Sequence, residues 1–406
     1  MKNAVTGIFL LILFAAHAQQ RNVLYDEEKV PVYALPPLLV GEHGEKITTA
    51  GEWEEIRRPE LLQMFALQMF GETPEGDVEA RYETVKTNTR ALGGKATSKQ
   101  IKAIFSRGSV ERHMRILIYL PNQIDGKAPL FVGYNFNGNQ TVNDDPDIIP
   151  SSEAERGSSR SRWPVETILS AGYGLATIWY YDLFPDEKDK HAESILPLFG
   201  YQSAGDITDS YWQAMGAWAW GLSRAMDYFE TDCDIDASKV VLMGHSRNGK
   251  ATLWAGAQDT RFAMVISNDS GCGGAALSKR TFGETIESIT SAFPHWFCKY
   301  FRRYAGNEQN LPFDQHQFLA LIAPRPLYIA SAAEDLWADP KGEYLSGYHA
   351  GEVYRLYGMK GLETTDMPDI NRPVMNRVGY HVRSGKHDVT DFDWKNYILF
   401  ADKWLK

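Results

Sequence analysis

The chain has 406 residues and a formal net charge of -10 at pH 7, and 44% of its residues are hydrophobic. A chain with this excess of acidic residues lacks the positive surface on which nucleic-acid binding depends, which argues against a nucleic acid as its partner. Its length and apolar content are enough for a large core, so we predict a single α/β domain with an N-terminal arm and loop insertions over residues 19–406.

Residues 1–18 have the pattern of a signal peptide. Lys2 precedes a short apolar run at residues 8–14, and Ala16-His-Ala18 fits a small-x-small cleavage site. We expect cleavage after Ala18 and export to the periplasm or the cell exterior. The apolar run is too short to cross a bilayer core of about 30 Å, and no later stretch approaches about 20 consecutive apolar residues. We therefore expect a mature protein that is not bound to membranes. We also expect it to be a monomer.

Segments with strand and helix patterns alternate along the rest of the chain. An extended, proline-bearing arm at 30–40 precedes a helix at 53–70 that Gly71 ends, and alternating segments at 80–120 predict an antiparallel meander. The later segments are strands at 130–138, 174–181, 240–243, 262–267 and 327–332, with helices at 212–229, 344–357 and 392–404. This order predicts an α/β fold, a three-layer α/β/α sandwich with a mainly parallel, doubly wound sheet. Ligands of such sheets collect at the carboxyl ends of the strands.

One stretch has the pattern of a catalytic turn. Four apolar residues at 240–243 predict a buried strand, and an abrupt turn centred on Ser246 leads from it into a helix. Gly244 and Gly249 permit a strained turn and a close approach of strand and helix. A serine hydrolase keeps its nucleophile at such a turn, although Asn248 stands where the G-x-S-x-G pattern has its second glycine. The alternative is a phosphate-binding or merely tight strand-helix turn.

A nucleophilic serine needs a histidine base, which in turn needs a carboxylate to fix its tautomer. In α/β-hydrolases the histidine follows the last strand, where this chain offers His381 and His387. We predict His387, because it stands at a loop tip ahead of the closing helix. His381 lies in a strand-like segment and is expected to be structural. Two acids follow strands, Asp335 and Asp269, and the pattern alone does not choose between them.

The three cysteines, Cys233, Cys272 and Cys298, do not indicate a disulfide framework, since an odd number cannot all pair within one chain. A bridge between Cys272 and Cys298 is one alternative, and three buried free thiols is the interpretation we favour. The ten histidines include no paired ligand spacing such as H-E-x-x-H, so we predict no metal site and no cofactor.

Four separate blocks of sequence occur in the same order in one known family. They are Gly244-His-Ser-Arg-Asn-Gly-Lys250, Asn268-Asp-Ser-Gly-Cys-Gly-Gly274, Glu334-Asp-Leu-Trp-Ala-Asp-Pro340 and Gly385-Lys-His387. Through them the chain resembles the glucuronoyl esterases, carbohydrate esterase family fifteen, whose turn is similar to G-x-S-R-N-G-K. The resemblance implies an α/β-hydrolase fold. It also implies hydrolysis of the ester between 4-O-methylglucuronic acid side chains of xylan and alcohols of lignin, a step in lignocellulose degradation.

The resemblance also implies a role for each predicted site residue. Ser246 would be the nucleophile and His387 the general base, and Arg247 would stabilise the oxyanion with its side chain and backbone N–H. Two residues would hold sugar hydroxyls and a third would form a wall of the sugar site: Lys250, Glu284 and Trp337. Without the resemblance, Lys250 and Glu284 fit a surface ion pair equally well.

The acid departs from the family pattern. Many members have a glutamate at the position of Asp269, and the aspartate here is shorter by one methylene. We therefore predict Asp335 as the main partner of His387, with Asp269 assisting. Two alternative functions stay open: an acetyl xylan esterase or other carbohydrate esterase on the same fold, and an inactive hydrolase-like protein that binds polysaccharide. Arg247 and Lys250 favour a uronate over an acetyl ester, and the intact serine, histidine and acids argue against an inactive protein.

Overall fold

The computed structural model describes residues 23–406. The predicted signal peptide, residues 1–18, lies outside the described residues and stays a prediction. Within residues 23–406, no helix is both long enough and apolar enough to cross a membrane.

The centre of the fold is one sheet of ten strands. In chain order the strands are β1 (Glu79–Arg90), β2 (Ala96–Arg107), β3 (Val110–Pro121), β4 (Ala128–Asn135), β5 (Gly174–Trp179), β6 (Ile235–His245), β7 (Met264–Asn268), β8 (Leu327–Ala332), β9 (Val374–Met375) and β10 (Val378–Arg383). In space their order is β1-β2-β3-β5-β4-β6-β7-β8-β10-β9.

The directions of these strands divide the sheet into a parallel centre and antiparallel edges. From β5 through β4, β6, β7 and β8 to β10, each neighbouring pair is parallel. The predicted meander forms β1 to β3, which pair antiparallel with one another and with β5, and the short β9 pairs antiparallel with β10. The mainly parallel, doubly wound sheet of an α/β-hydrolase, predicted from the sequence, is confirmed.

Helices cover both faces of the sheet. They are α1 (Ala50–Glu52), α2 (Arg58–Phe65), α3 (Ala91–Gly94), α4 (Val165–Ser170), α5 (Ala214–Thr231), α6 (Arg247–Gln258), α7 (Ile286–Ala292), α8 (Gln315–Ala320), α9 (Pro340–Leu356) and α10 (Asp391–Leu405). Buried residues of α2, α5, α6, α8 and α9 belong to one hydrophobic cluster, and those of α4 and α10 belong to the other. The three layers of the predicted sandwich are therefore present.

The position of strand β6 in the sheet explains the continuous apolar run at residues 240–243. Val240 and Leu242 belong to the first cluster, and Val241 and Met243 belong to the second. Because successive side chains of a strand point to opposite faces, a strand covered on both sides needs apolar residues at every position.

The predicted helix at 53–70 is an almost continuous helical segment from Ala50 to Phe70 that contains two short π-helical stretches. It starts at a capping box, in which Thr49 and Glu52 satisfy each other's backbone N–H groups. Gly71 ends it with φ 88°, a left-handed conformation that favours glycine.

The bounds of several predicted elements differ from the structure by a few residues, and two of these differences have a clear local cause. The strand predicted at 174–181 ends at Trp179, because the next residues form a 3₁₀ turn (Tyr180–Asp182). Helix α9 begins four residues before the predicted start, at Pro340 rather than Tyr344, because the side chain of Asp339 accepts a hydrogen bond from Gly342 N (2.9 Å) and caps the helix.

All three cysteines are free, so the alternative of a bridge between Cys272 and Cys298 is wrong. Those two thiols are buried, as predicted. Cys233 is exposed, contrary to the prediction, because it follows the end of α5 in the turn that leads into β6.

Candidate active site

The turn between β6 and α6 holds Ser246 in a strained conformation. Its φ is 58° and its ψ is -130°, and helix α6 begins at the next residue. The backbone N–H of Ser246 donates to Asn268 O at the end of β7 (2.9 Å). A non-glycine residue in this conformation persists only where its surroundings enforce it, and such strain is typical of a nucleophile turn.

The glycines of this turn are required by close backbone contacts. A Cβ atom on Gly244 would overlap Asn248 O and Thr252 Oγ1, and one on Gly249 would lie 3.0 Å from Ser270 Cβ. Asn248 itself does not have a positive φ, so its position in α6 does not need the conformational freedom of glycine. The departure from G-x-S-x-G therefore leaves the turn intact.

His387 lies on the loop after β10, and its Nδ1 is 2.6 Å from Asp335 Oδ2. The carboxylate is nearly buried, with 8% of the side chain exposed, whereas the imidazole is 41% exposed. A carboxylate at this distance holds the proton on Nδ1, which leaves Nε2 as a proton acceptor. This is the arrangement that a general base requires.

Asp269 lies beside this pair but has other partners. Its φ is 44°, and its Oδ1 accepts a hydrogen bond from Ala332 N (2.7 Å). Its Oδ2 lies 3.5 Å from Arg383 Nη2. Burial, together with the nearby carboxylates of Glu343 and Asp335, raises the pKa of Asp269 well above its usual value. Its oxygens face Ala332 N and Arg383 rather than His387, so it does not hold the imidazole.

Arg247, the residue after the serine, is held by a carboxylate that the sequence pattern did not reveal. Its guanidinium forms an ion pair with Asp186 and lies over the rings of Trp296 (4.8 Å) and Phe293 (5.3 Å). Asp186 stands in the loop after β5, in a polar segment without periodicity. No signal in that segment distinguishes Asp186 from its polar neighbours.

Asp186 receives hydrogen bonds from several directions. Besides Arg247, it accepts from His295 Nε2 (2.9 Å), Trp296 Nε1 (2.6 Å) and Tyr180 Oη (3.1 Å). Burial is the largest single influence and raises its pKa, but the hydrogen bond from His295 and the charge of Arg247 outweigh it. The pKa of Asp186 is lowered to about 2. The carboxylate therefore stays ionised and fixes the guanidinium next to the serine.

Lys250 and Glu284 form a pair that is buried, which excludes the alternative of a surface ion pair. Their side chains are 5% and 10% exposed, and Lys250 Nζ lies 3.9 Å from Glu284 Oε2. Lys250 Nζ also donates to Ser270 O (2.6 Å). Burial lowers the pKa of Lys250 and raises that of Glu284. Buried ionisable groups that face a cavity are candidates for ligand binding.

Trp337 lies at the rim of the same region. Its side chain is among the exposed large hydrophobic residues, with 40% of its surface accessible. Its carbonyl oxygen accepts a hydrogen bond from Glu284 N (2.9 Å), which ties the loop after β8 to the loop that carries Glu284. An exposed indole at the edge of a polar cavity can pack against one face of a sugar ring.

The predicted residues meet in one cavity of about 330 Å³ at the carboxyl ends of the central strands. The cavity is lined by all eight of them: Ser246, Arg247, Lys250, Asp269, Glu284, Asp335, Trp337 and His387. Phe293, Trp296 and the segment from Ser270 to Gly271 complete the wall. The volume is within the range of about 300–1,000 Å³ that is common for small-ligand sites.

His381, the other histidine in range, is fully buried and has a structural position. Its Nε2 lies 2.8 Å from Asp393 Oδ1, and its Nδ1 lies 2.9 Å from the hydroxyl of Tyr328. Burial lowers the pKa of His381, which keeps the ring neutral. It does not line the cavity.

Within residues 23–406, two groups of side chains have enough donor atoms for a cation. In the first, atoms of Asp269, Asp335 and His387 lie within 4.8 Å of one another. The separation of 2.6 Å between His387 and Asp335 is a hydrogen bond and leaves no space for an ion between them. The second group consists of Asp232, Cys233 and Asp234, whose two carboxylates both accept hydrogen bonds from Lys99 Nζ (2.6 and 2.7 Å).

Comparison with known proteins identifies one group of relatives. The family model described as "Glucuronyl esterase, fungi" matches residues 201–358. A carbohydrate esterase from an unknown prokaryotic organism is 46% identical over an alignment of 404 positions that covers 95% of this chain and 93% of the relative. A 4-O-methyl-glucuronoyl methylesterase from Wolfiporia cocos is 33% identical over 58% of this chain and 60% of its own length.

Solved structures give the same result. A glucuronoyl esterase from Solibacter usitatus is 45% identical and superposes with a TM-score of 0.89, covering 93% of this chain and 100% of the other. An esterase from a marine bacterial metagenome, described as a promiscuous member of family CE15, is 45% identical with a TM-score of 0.88 and covers 94% and 100% of the two chains.

Proposed function

The chain belongs to carbohydrate esterase family fifteen, the family of the glucuronoyl esterases, and on this premise we propose how it acts as a serine hydrolase. It is a carboxylic ester hydrolase, and its substrate is a 4-O-methylglucuronoyl ester that joins glucuronoxylan to an alcohol of lignin. One observation carries the proposal: Ser246, the His387–Asp335 pair and the Lys250–Glu284 pair line a single cavity.

Ser246 is the nucleophile of the proposed reaction. Its Oγ attacks the ester carbonyl, and His387 Nε2 takes the hydroxyl proton as the bond forms. Asp335 keeps the other imidazole proton on Nδ1 and stabilises the imidazolium. When the tetrahedral intermediate collapses, His387 gives the proton to the oxygen of the departing alcohol. The uronic acid is then attached to Ser246 as an ester.

A water molecule completes the cycle by releasing the acid from Ser246. His387 removes a proton from a water molecule, which attacks the acyl carbonyl. When the second tetrahedral intermediate collapses, the bond from the acyl carbon to Ser246 Oγ breaks and His387 gives the proton to Oγ. The product is a free uronic acid. At neutral pH this acid ionises. The neutral ester group of the substrate therefore becomes an anionic carboxylate next to Arg247 in the product.

Arg247 stabilises the oxyanion in this scheme. A guanidinium next to the nucleophile is a charge-assisted donor, and its interaction strengthens as negative charge develops on the carbonyl oxygen. The ion pair with Asp186 and the rings of Trp296 and Phe293 orient it before the substrate arrives. Preorganised donors of this kind lower the barrier because they do not have to reorient during the reaction.

The other end of the cavity binds the sugar. Lys250 and Glu284 offer a buried donor and a buried acceptor to ring hydroxyls, and Trp337 offers a flat apolar face. An acetyl ester has no hydroxyls on its acyl group to use this pair. The buried charges therefore support a uronate substrate over the acetyl group of an acetyl xylan esterase.

A substrate panel tests this proposal. Benzyl and methyl glucuronate esters should be hydrolysed, with kcat/KM at least 100-fold above that for acetylated xylan. Preference for acetylated xylan would replace the proposal by the acetyl xylan esterase. Failure to hydrolyse any ester, together with failure of a fluorophosphonate to label Ser246, would support an inactive binding protein.

The signal-peptide pattern further supports our proposal that the enzyme acts in the periplasm or outside the cell.

A further inference from the structure

A second cavity, of about 430 Å³, lies beside the candidate active site. It opens between the loop after β5 and the segment that follows α7, and its lining includes Lys188, His191, Gln213, His295, Lys299 and Arg302. Phe293 lines both cavities. It stacks on Trp296 with ring centroids 3.8 Å apart, so this pair of rings separates the two spaces.

The floor of the second cavity contains a buried histidine with one nitrogen unused. His295 is 4% exposed, and its Nε2 lies 2.9 Å from Asp186 Oδ1. Its Nδ1 is buried and has no hydrogen-bond partner within residues 23–406. The Asp186 carboxylate accepts the hydrogen bond of His295 Nε2, and Nδ1 faces no solvent-accessible space, so His295 is part of the packed floor and helps to hold Asp186 in place.

The rim of the cavity is positively charged. Lys188, Lys299 and Arg302 are exposed around the opening, with Asp189 as the acidic residue of the lining. Such a cluster of cations contrasts with the net charge of -10 of the whole chain. Cations at the mouth of a cavity favour a negatively charged ligand, and the charge also accelerates its approach. Phe293, in the wall and partly exposed, gives a sugar ring an apolar surface on which to pack.

We propose that this cavity binds an unesterified uronic acid branch of the same polysaccharide whose ester is cleaved next door. The rim cations would attract the carboxylate, and the wall shared through Phe293 places the two branches side by side. The inference rests on the proposed function, because it takes its ligand from the same glucuronoxylan. Such a second site makes the enzyme selective for regions of the polymer that carry many uronic acid branches.

The test compares two substrates. One is a small neutral ester, benzyl glucuronate, and the other is a xylo-oligosaccharide with one esterified and one free glucuronic acid branch. The variant Lys188→Ala/Arg302→Ala removes two rim charges. The control variant Lys239→Ala/Lys360→Ala removes one charge within β6 and one in the segment after α9, on side chains that are 40% and 73% exposed.

The proposal predicts a change that is specific to one substrate and one variant. The rim variant should lose roughly three- to tenfold in kcat/KM on the acid-bearing oligosaccharide, as expected for exposed charge pairs, and less than twofold on benzyl glucuronate. The control variant should match the wild type on both. In the wild type, added salt should weaken the preference, since these charges are accessible to screening. Equal activity of wild type and rim variant on the oligosaccharide would overturn the proposal.

A binding measurement separates this inference from the proposed function. Calorimetric titration of wild-type protein with the fully unesterified oligosaccharide requires no turnover. The dissociation constant should rise at least threefold in the rim variant and stay within twofold in the control variant. If benzyl glucuronate is not hydrolysed but this difference is found, the proposed function is wrong and the uronate site stands. If the ester is hydrolysed and the three constants agree, only the second site is wrong.

Discussion

The most informative substitutions concern the two carboxylates near His387. In Asp335→Asn, an amide N–H replaces the carboxylate oxygen that lies 2.6 Å from His387 Nδ1. The amide favours the wrong tautomer, with the proton on Nε2, and that nitrogen can no longer accept the proton of Ser246. The same change in Asp269 alters a group whose oxygens face Ala332 N and Arg383 rather than His387, and its Oδ1 can still accept from Ala332 N.

The expected effects differ by orders of magnitude. Asparagine in place of the orienting aspartate of a serine-histidine-aspartate triad lowers kcat by about 10⁴-fold, and we expect a loss of about 10³- to 10⁴-fold for Asp335→Asn. This corresponds to about 4–5.5 kcal/mol in the activation free energy. Asp269→Asn should lose less than about tenfold, since it removes no hydrogen bond to His387 and keeps an acceptor for Ala332 N.

The assay is the release of benzyl alcohol from benzyl glucuronate at pH 7, with both variants checked by thermal unfolding. Similar melting temperatures would show that any loss is catalytic. If Asp335→Asn retains nearly full turnover and Asp269→Asn loses several orders of magnitude, the assignment of Asp335 as the partner of His387 is refuted.

Three further predictions concern other parts of the molecule. Asp186→Asn should lower kcat at least tenfold with a smaller change in KM, because it loosens Arg247, whose contact strengthens in the transition state; steady-state kinetics on benzyl glucuronate measures both. Gly244→Ala should lower the free energy of unfolding by more than about 2 kcal/mol through overlap with the first turn of α6, whereas Gly51→Ala, in an open helical position, should be neutral or stabilising in denaturant unfolding. Burial lowers the pKa of His316 from 6.5 to about 4. Below pH 6.5 the unfolded chain binds a proton at His316 that the folded chain does not bind, so this residue should decrease the free energy of unfolding by about 3 kcal/mol between pH 6.5 and 4. Thermal scans should therefore show a smaller acid-induced decrease in the melting temperature for His316→Gln than for the wild type. An equal decrease in the two proteins would contradict this prediction.

Local patterns were sufficient for the fold and for Ser246 and His387, whereas the roles of Arg247, Lys250, Glu284 and Trp337 came from the resemblance to the glucuronoyl esterases. The apolar run of β6 and the glycines around Ser246 are properties of adjacent residues, and they predict a strand and a turn without knowledge of distant contacts. Chain order then limited the base to the segment after the last strand. Boundaries were less accurate where a single side chain decided them, as Asp339 does at the start of α9.

The partners of Arg247 depended on long-range contacts and were not predicted. Asp186 is 61 residues from Arg247 and 109 from His295 in the chain, and nothing in its own loop marks it. Similarly, the burial of Lys250 and Glu284 arises from the packing of separate loops. The sequence pattern also left the choice between Asp335 and Asp269 open. The structure distinguishes the two carboxylates by their contacts: Asp269 accepts from Ala332 N, whereas Asp335 lies against His387.

The central claim is that Ser246 hydrolyses glucuronoyl esters, and the turnover of benzyl glucuronate by wild type and Ser246→Ala tests it most directly. We expect measurable hydrolysis by the wild type and a loss of about 10⁵- to 10⁶-fold in kcat for the variant, as for other serine nucleophiles. Unchanged melting behaviour of the variant would show that the fold is intact. A variant that keeps more than about a tenth of the wild-type rate would contradict the assignment of Ser246 as the nucleophile.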